Sequence, residues 1–300
     1  MPRYKTNCLL YYCISILILF SITSCSKSSE NKKDKSEKKE GVNLQDTNTE
    51  LAKYDLESKS PVIITLSKEL TEISGITMTE DGRLFAQQDE SGIIYEVDYK
   101  TGNVLKKFSL GKPAIKEDFE DIVNVNDKFY LLKSKGELYE FSEGENLGNV
   151  DFKIYKTDLK ERNDVEGLCY DPETNSLLLA CKGDAGTGEA LEKAIYSFSL
   201  DKMQFNEQAR FVLPLSEIKK LFNPSGIQRH PTTGTFFIIA ANGNEIIEIS
   251  KDGKILGRRV LPPSVHMQPE GITFGKDNAL YISNEGKSGK GTIVIYPYKN

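Results

Sequence analysis

Three hundred residues with 38% hydrophobic content are enough for a sizeable core, and a formal net charge of −5 makes the chain mildly acidic. No cluster of Lys or Arg recurs along it, which argues against nucleic acid and against direct electrostatic attraction to anionic lipid. Loss of the first 24 residues, which carry Arg3 and Lys5 and no acid, would take the charge from −5 to −7 (−5 − 2).

Residues 1–24 read as a lipoprotein signal peptide. Arg3 and Lys5 form a positive start, and Leu9 to Phe20 is an apolar run too short to cross a bilayer. The segment ends in Ser21-Ile-Thr-Ser-Cys25, and small residues before a cysteine resemble a bacterial lipobox. Cys25 is then the expected lipid acceptor, which makes a membrane the first expected partner without any membrane span. An ordinary secretory signal is the competing reading. Ser26, in place of Asp, points to the outer membrane of the cell envelope.

Residues 25–59 read as the lipidated cysteine and a flexible tether. Residues 26–59 hold eight Lys and eight Asp or Glu, and such a charged, apolar-poor stretch cannot bury enough surface to fold. Its span is on the order of 30 Å. A helical turn at Leu51 to Leu56 is compatible with the residues but not required.

From residue 60 to 300 one phrase recurs five times: Glu72-Ile-Ser-Gly-Ile76, Asp118-Phe-Glu-Asp-Ile122, Asp164-Val-Glu-Gly-Leu168, Asn223-Pro-Ser-Gly-Ile227 and Gln268-Pro-Glu-Gly-Ile272. The spacings are 46, 46, 59 and 45 residues. Each phrase is followed by further short apolar runs, such as Phe129 to Leu132 and Leu138 to Phe141, separated by turn signals such as Glu80-Asp-Gly82 and Pro231-Thr-Thr-Gly234. Four short strands per repeat of this length predict an all-β chain, a five-bladed β-propeller with four-stranded antiparallel blades. The fifth repeat has only three runs, so Val62 to Leu66 is expected to close the ring as the outer strand of the last blade.

Two inserts interrupt the regular spacing. Gly183 to Lys193 reads as a surface loop, since it lacks the Gly-Lys-Ser/Thr ending of a phosphate loop. Leu215 to Phe222 predicts a short amphipathic helix capped by Ser216. Cys169 and Cys181 flank the Asp171 to Ser176 turn, and read as two buried thiols in preference to a strained cross-strand disulfide. With His230 and His266 as the only histidines, zinc is not expected.

Alternate residues on a strand share a face, so the first and third positions of each phrase are expected on one side of an innermost strand lining the central channel, with the fifth on the same side at the deeper end, where the channel or the blade interface turns apolar. The acids among the first and third positions are Glu72, Asp118, Glu120, Asp164, Glu166 and Glu270. Crowded carboxylates in a partly dry channel repel one another and must take up protons or a cation. Oxygen-only donors suit Ca²⁺ better than Mg²⁺. The alternative is that Glu120, Glu166 and Glu270 staple the backbone amides of neighbouring blades with no ion. Both readings are open from the residues alone. Lys182, Asn242, His266, Asn284 and Glu285 follow the second strands or precede the fifth phrase, and are candidate contacts at the channel mouth, with His266 a candidate base.

The phrases Glu72-Ile-Ser-Gly-Ile76, Phe119-Glu-Asp-Ile122, Val165-Glu-Gly-Leu168 and Pro269-Glu-Gly-Ile272, in this order and spacing, resemble the SdiA-regulated family of bacterial exported proteins. The resemblance covers the predicted propeller. It implies a five-bladed propeller related to NHL-repeat proteins, a calcium ion, and no established biochemical activity. Glu120, Glu166 and Glu270 stand where that family carries recurrent glutamates, and Glu72 and Asp118 match its first-position acids. Two function classes follow. One is a Ca²⁺-binding scaffold with a monomeric head, whose protein or glycan ligand docks over the mouth. The other is a calcium-dependent hydrolase of lactonase, esterase or phosphoesterase type. No Gly-x-Ser-x-Gly elbow, Walker loop or Gly-x-Gly-x-x-Gly fingerprint supports a third class.

Overall fold

A computed structural model describes residues 49–188, 191–218 and 221–299. The signal segment, Cys25 and the tether as far as residue 48 lie outside the described residues. Among the described residues no helix is long and apolar enough to cross a membrane.

The strands form five sheets arranged as the blades of a propeller. Strand β1 (Val62–Thr65) precedes blade 1, which is built from β2 (Ile73–Met78), β3 (Leu84–Gln88), β4 (Ser91–Val97) and β5 (Val104–Leu110). Blade 2 has β6 (Phe119–Val125), β7 (Lys128–Lys133), β8 (Leu138–Ser142) and β10 (Phe152–Tyr155); the two-residue β9 (Asn149–Val150) joins β5 of blade 1 in parallel. Blade 3 comprises β11 (Val165–Asp171), β12 (Ser176–Cys181), β13 (Glu192–Ser199) and β14 (Gln204–Pro214). Blade 4 comprises β15 (Asn223–Arg229), β16 (Phe236–Asn242), β17 (Glu245–Ile249) and β18 (Ile255–Val260). Blade 5 has β19 (Pro269–Phe274), β20 (Leu280–Asn284) and β21 (Thr292–Tyr296), and β1 completes it by pairing antiparallel with β21 from Val62↔Ile295 to Thr65↔Thr292. The ring is thus closed by the N-terminal strand, which supplies the outer strand that the last blade would otherwise lack.

The core is divided into clusters between neighbouring blades. Ile76, Leu84 and Tyr95 of blade 1 pack on Tyr281 and Ile293 of blade 5, and Phe85 and Ile94 pack on Phe119, Ile122 and Phe129 of blade 2. This is where the apolar runs go: alternate residues of the three inner strands face the blade before and the blade after, so both faces of each sheet are buried there, while the outer strands are largely exposed.

A bulge in each innermost strand changes the face expected for the phrase. The register slips between Ile73 and Ile76, Phe119 and Asp121, Val165 and Gly167, Pro224 and Gly226, and Pro269 and Ile272. An extra residue reverses the alternation. The fifth position therefore joins the second in the core between blades, as Ile76 joins Ile73 and Ile122 joins Phe119, and does not continue the channel wall below the acids. The bulge also explains the phrase's glycine. A Cβ on Gly226 would stand 2.5 Å from the Glu270 carbonyl, and one on Gly271 2.6 Å from the Ser74 carbonyl, so neighbouring inner strands touch where side chains cannot fit.

Two local expectations differ from the structure. The predicted helix at Leu215 to Phe222 is absent from its described part: β14 runs on to Pro214, and residues 215–218 form turns with Ile218 buried. Eight residues are too few to nucleate a helix without strong packing. The fold also begins before residue 60. A 3₁₀ turn at Glu50–Lys53 starts a strap that buries Leu51, Tyr54 and Leu56 against Phe237, Phe274 and Leu280 of blades 4 and 5. The Leu51 amide donates to Glu248 Oε2 (2.9 Å), and the Tyr54 hydroxyl donates to the Asn278 carbonyl (2.8 Å) and contacts His230 Nε2 (3.2 Å). Cys169 and Cys181 are free and buried, and pair across the ladder with Leu178 and Val165, not with each other.

Candidate functional site at the acidic mouth

Each innermost strand starts at one end of the propeller, and each second strand returns to that end. Topology therefore gathers Glu72, Asp118, Asp164, Asn223 and Gln268 with Asp89, Lys182, Asn242 and Glu285 at one mouth. Glu120, Glu166 and Glu270 stand two residues further in.

Glu166 is the focus of this group. It is 6% exposed, its Oε1 accepts an ion-paired hydrogen bond from Lys182 Nζ, and its buried Oε2 has no hydrogen-bond partner. Lys182 also lies 3.9 Å from Asp164 Oδ2. Burial pushes the Glu120 carboxyl up to about 9, with the charges of Glu166 and Asp118 adding to it. Burial and then Glu166 take Glu270 to about 8, against a downward pull from Gln268 and Lys182. Burial raises Glu166 to about 7, the Lys182 ammonium holding it below its neighbours. Burial opposes the charge on Lys182, yet Glu166 and Asp164 raise it above the usual lysine range.

A second acidic group lies between blades 5 and 1. Burial raises Glu285, and its hydrogen bond with Glu72 and the charge of Asp89 raise it further. Asp89 is pushed up to about 6 by burial and then by Glu72, and its Oδ1 is buried without a partner. Gln268 Nε2 donates to Glu285 Oε2. Neither Asp89 nor this pairing was legible from the phrase, although Asp89 directly follows the second strand of its repeat as Lys182 and Glu285 do.

The other predicted mouth residues divide. Asn242 is exposed at the end of β16. His266 is fully buried inside the wall: Nδ1 contacts Asn284 Oδ1 at 3.0 Å and Nε2 contacts the Tyr296 hydroxyl at 2.7 Å. Burial lowers it to about 4, against the Asn284 hydrogen bond, so it is neutral and fully engaged at pH 7. Asn284 likewise belongs to the wall, 3% exposed.

Stapling between blades is done by other residues. The Ser74 hydroxyl donates to the Glu120 carbonyl (2.8 Å), and the Ser225 hydroxyl donates to the Pro269 carbonyl (2.7 Å). Asp121, which takes the glycine's place in the second phrase, accepts from the Ile122 amide (2.8 Å) and from the Leu168 amide of blade 3 (2.7 Å). Asp121→Ala leaves two buried amides unpaired and is expected to cost roughly 2–4 kcal/mol in urea unfolding, with Asp121→Asn recovering part of it. Equal stability of the Ala variant and the parent would contradict this role.

The donor chemistry at the axis fits a hard cation, being oxygen only, with one buried carboxylate oxygen left over. Among the described residues no three His, Cys, Asp or Glu side chains stand close enough together to hold a metal ion, so an ion would have to draw the glutamates inward.

Solved structures with the same architecture include a glutaminyl cyclase of Myxococcus xanthus (TM-score 0.52, 10% identity, covering 80% of this chain and 97% of that one). A gluconolactonase of Xanthomonas campestris is similar (TM-score 0.51, 12% identity, 82% and 92% covered), as is a luciferin-regenerating enzyme (TM-score 0.50, 11% identity, 80% and 98% covered). At these identities the likeness is one of fold. No curated protein matches the chain. The SdiA-regulated family model matches residues 46–288, a span that holds all five phrases, both acidic groups and the start of the strap, and the chain belongs to that family.

Proposed function

We propose that the chain is a cell-envelope binding module, tethered by lipid on Cys25 at the outer membrane, whose propeller takes a cation at its acidic mouth. Ca²⁺ is the metal this donor set would accept, held by Glu120, Glu166 and Glu270 with Asp118 and Asp164 adding negative charge. Once bound it would supply a positive centre to which an oxygen atom of a ligand could be drawn. The observation that carries the reading is Glu166: a buried carboxylate with one oxygen on Lys182, the other unpaired, in a group with Glu120 and Glu270, whose carboxyls burial and mutual charge push upward. A binding role is better supported than the alternative hydrolase role, because the candidate base His266 has both ring nitrogens engaged inside the wall.

Glu166→Gln combined with Glu270→Gln tests the metal. The pair is expected to abolish any rise in melting temperature on adding calcium, while changing the melting point in chelator much less. An equal loss of stability in calcium and in chelator would make the carboxylates structural and remove the ion from the account.

A further inference from the structure

The two acidic groups at the mouth and the ammonium already seated there point beyond a metal ion. We propose that the mouth is a binding site for an extended aliphatic polyamine of the spermidine class, its ammonium groups spread over the axial glutamates and the Glu72, Asp89 and Glu285 group. This rests on the cation-binding reading above and names a ligand class for it.

Four observations carry it. First, Glu166 is 6% exposed and keeps one buried carboxylate oxygen without a hydrogen-bond partner, an acceptor still to be satisfied in a group of carboxylates. Second, its other oxygen is already taken by an ammonium on an alkyl chain, that of Lys182, so the site accommodates this chemistry as built. Third, the acids are spread: among the described residues no three stand within reach of one compact ion. Charges distributed along a chain match such a surface without drawing the glutamates together, whereas a small dication must. Fourth, the same end carries exposed apolar side chains in the connections around it, Leu191 (62% exposed), Leu221 (68%) and Met267 (61%), which suit the methylene spacers between ammonium groups. Among the described residues, Lys182 is the one lysine that pairs with the axial glutamates, so the acids there outnumber the cation they hold.

Isothermal titration of spermidine into the full-length chain in detergent, at 150 mM NaCl, is the test, since salt at this level screens diffuse attraction beyond about 8 Å. One-to-one binding is expected. Glu166→Gln with Glu270→Gln should weaken it at least tenfold. Met267→Ser with Leu221→Ser should weaken it several-fold without shifting the melting point. Lys182→Met should tighten it, because the tethered ammonium no longer competes. Calcium binding without spermidine binding would overturn the inference and leave the metal reading standing. Binding of neither would overturn both. Spermidine binding undiminished in the Gln pair would place it elsewhere and also overturn the inference.

Discussion

In chelator, the propeller is expected to lose stability as pH rises from 7 towards 9, the reverse of what paired surface carboxylates give. Burial first, and then mutual charge, hold Glu120 at about 9 and Glu270 at about 8, far above the ordinary value of about 4.3 that the unfolded chain recovers. A carboxyl raised in the folded state keeps its proton there while the unfolded chain releases it. Its contribution is complete below about 4.3 and is lost as pH climbs through the raised values. One linked proton corresponds to about 1.4 kcal/mol per pH unit, so a fall on the order of 2–3 kcal/mol is expected over this window. The groups facing the two glutamates are Asp118, Asp164, Glu166, Glu285, Gln268 and Lys182, and of these only Lys182 offsets their charge. His266, held at about 4, acts in the opposite direction and only below about 6.5, so the comparison belongs above neutrality. Urea unfolding of the parent and of Glu120→Gln at three pH values measures it: the variant should show a clearly shallower slope. Equal slopes would mean that the ring is solvated and stores no repulsion.

Tyr54→Ala is expected to destabilise the head by roughly 3–5 kcal/mol, as large as loss of an aromatic from the middle of a core. Tyr54 is 5% exposed, with its ring 5.6 Å from Tyr298 and 5.8 Å from Phe237 between centroids, and its hydroxyl on the Asn278 carbonyl. Removing it opens a cavity between blades 4 and 5 and leaves His230, which is fully buried, without its Tyr54 contact. The strap is further tied by Tyr298 Oη donating to Glu50 Oε2 (2.6 Å) and by the Lys299 amide on the Lys53 carbonyl (3.0 Å), so both ends of the folded chain are held together there. Chemical denaturation of Tyr54→Ala and Tyr54→Phe separates packing from the hydroxyl. A Tyr54→Ala variant within 1 kcal/mol of the parent would make the strap an ornament of the fold.

The strands and their number were legible because the apolar runs repeat with one spacing, and a period of this kind leaves few architectures. Ring closure was legible from the missing fourth run of the last repeat, which β1 supplies. The acids of the mouth were legible because the phrase repeats them. What was hidden depends on single residues acting against their pattern. Asp121 occupies a position that is glycine in the other four phrases, so the repeat masks a buried staple. The bulge reverses which phrase positions face the core, and alternation cannot report a slip that occurs in every repeat alike. Leu51, Tyr54 and Leu56 sit in a stretch whose average composition is that of a disordered linker, yet three buried side chains suffice to dock it. His266 looks like a mouth residue by position, but flanking prolines and its two polar partners turn it into the wall.

The central claim, a cation at the acidic mouth, is tested most directly by melting the chain from residue 46 onward, strap included, in EDTA and then with calcium and magnesium titrated back. Binding to the native state alone adds RT ln(1 + [L]/Kd), so a site with an affinity of about 10 µM gains roughly 2.7 kcal/mol at 1 mM ion. The account predicts a rise that is selective for calcium and absent in Glu166→Gln with Glu270→Gln. An unchanged melting point at millimolar calcium, with magnesium equally silent, would contradict the metal and leave the Lys182 ammonium as the cation paired with Glu166.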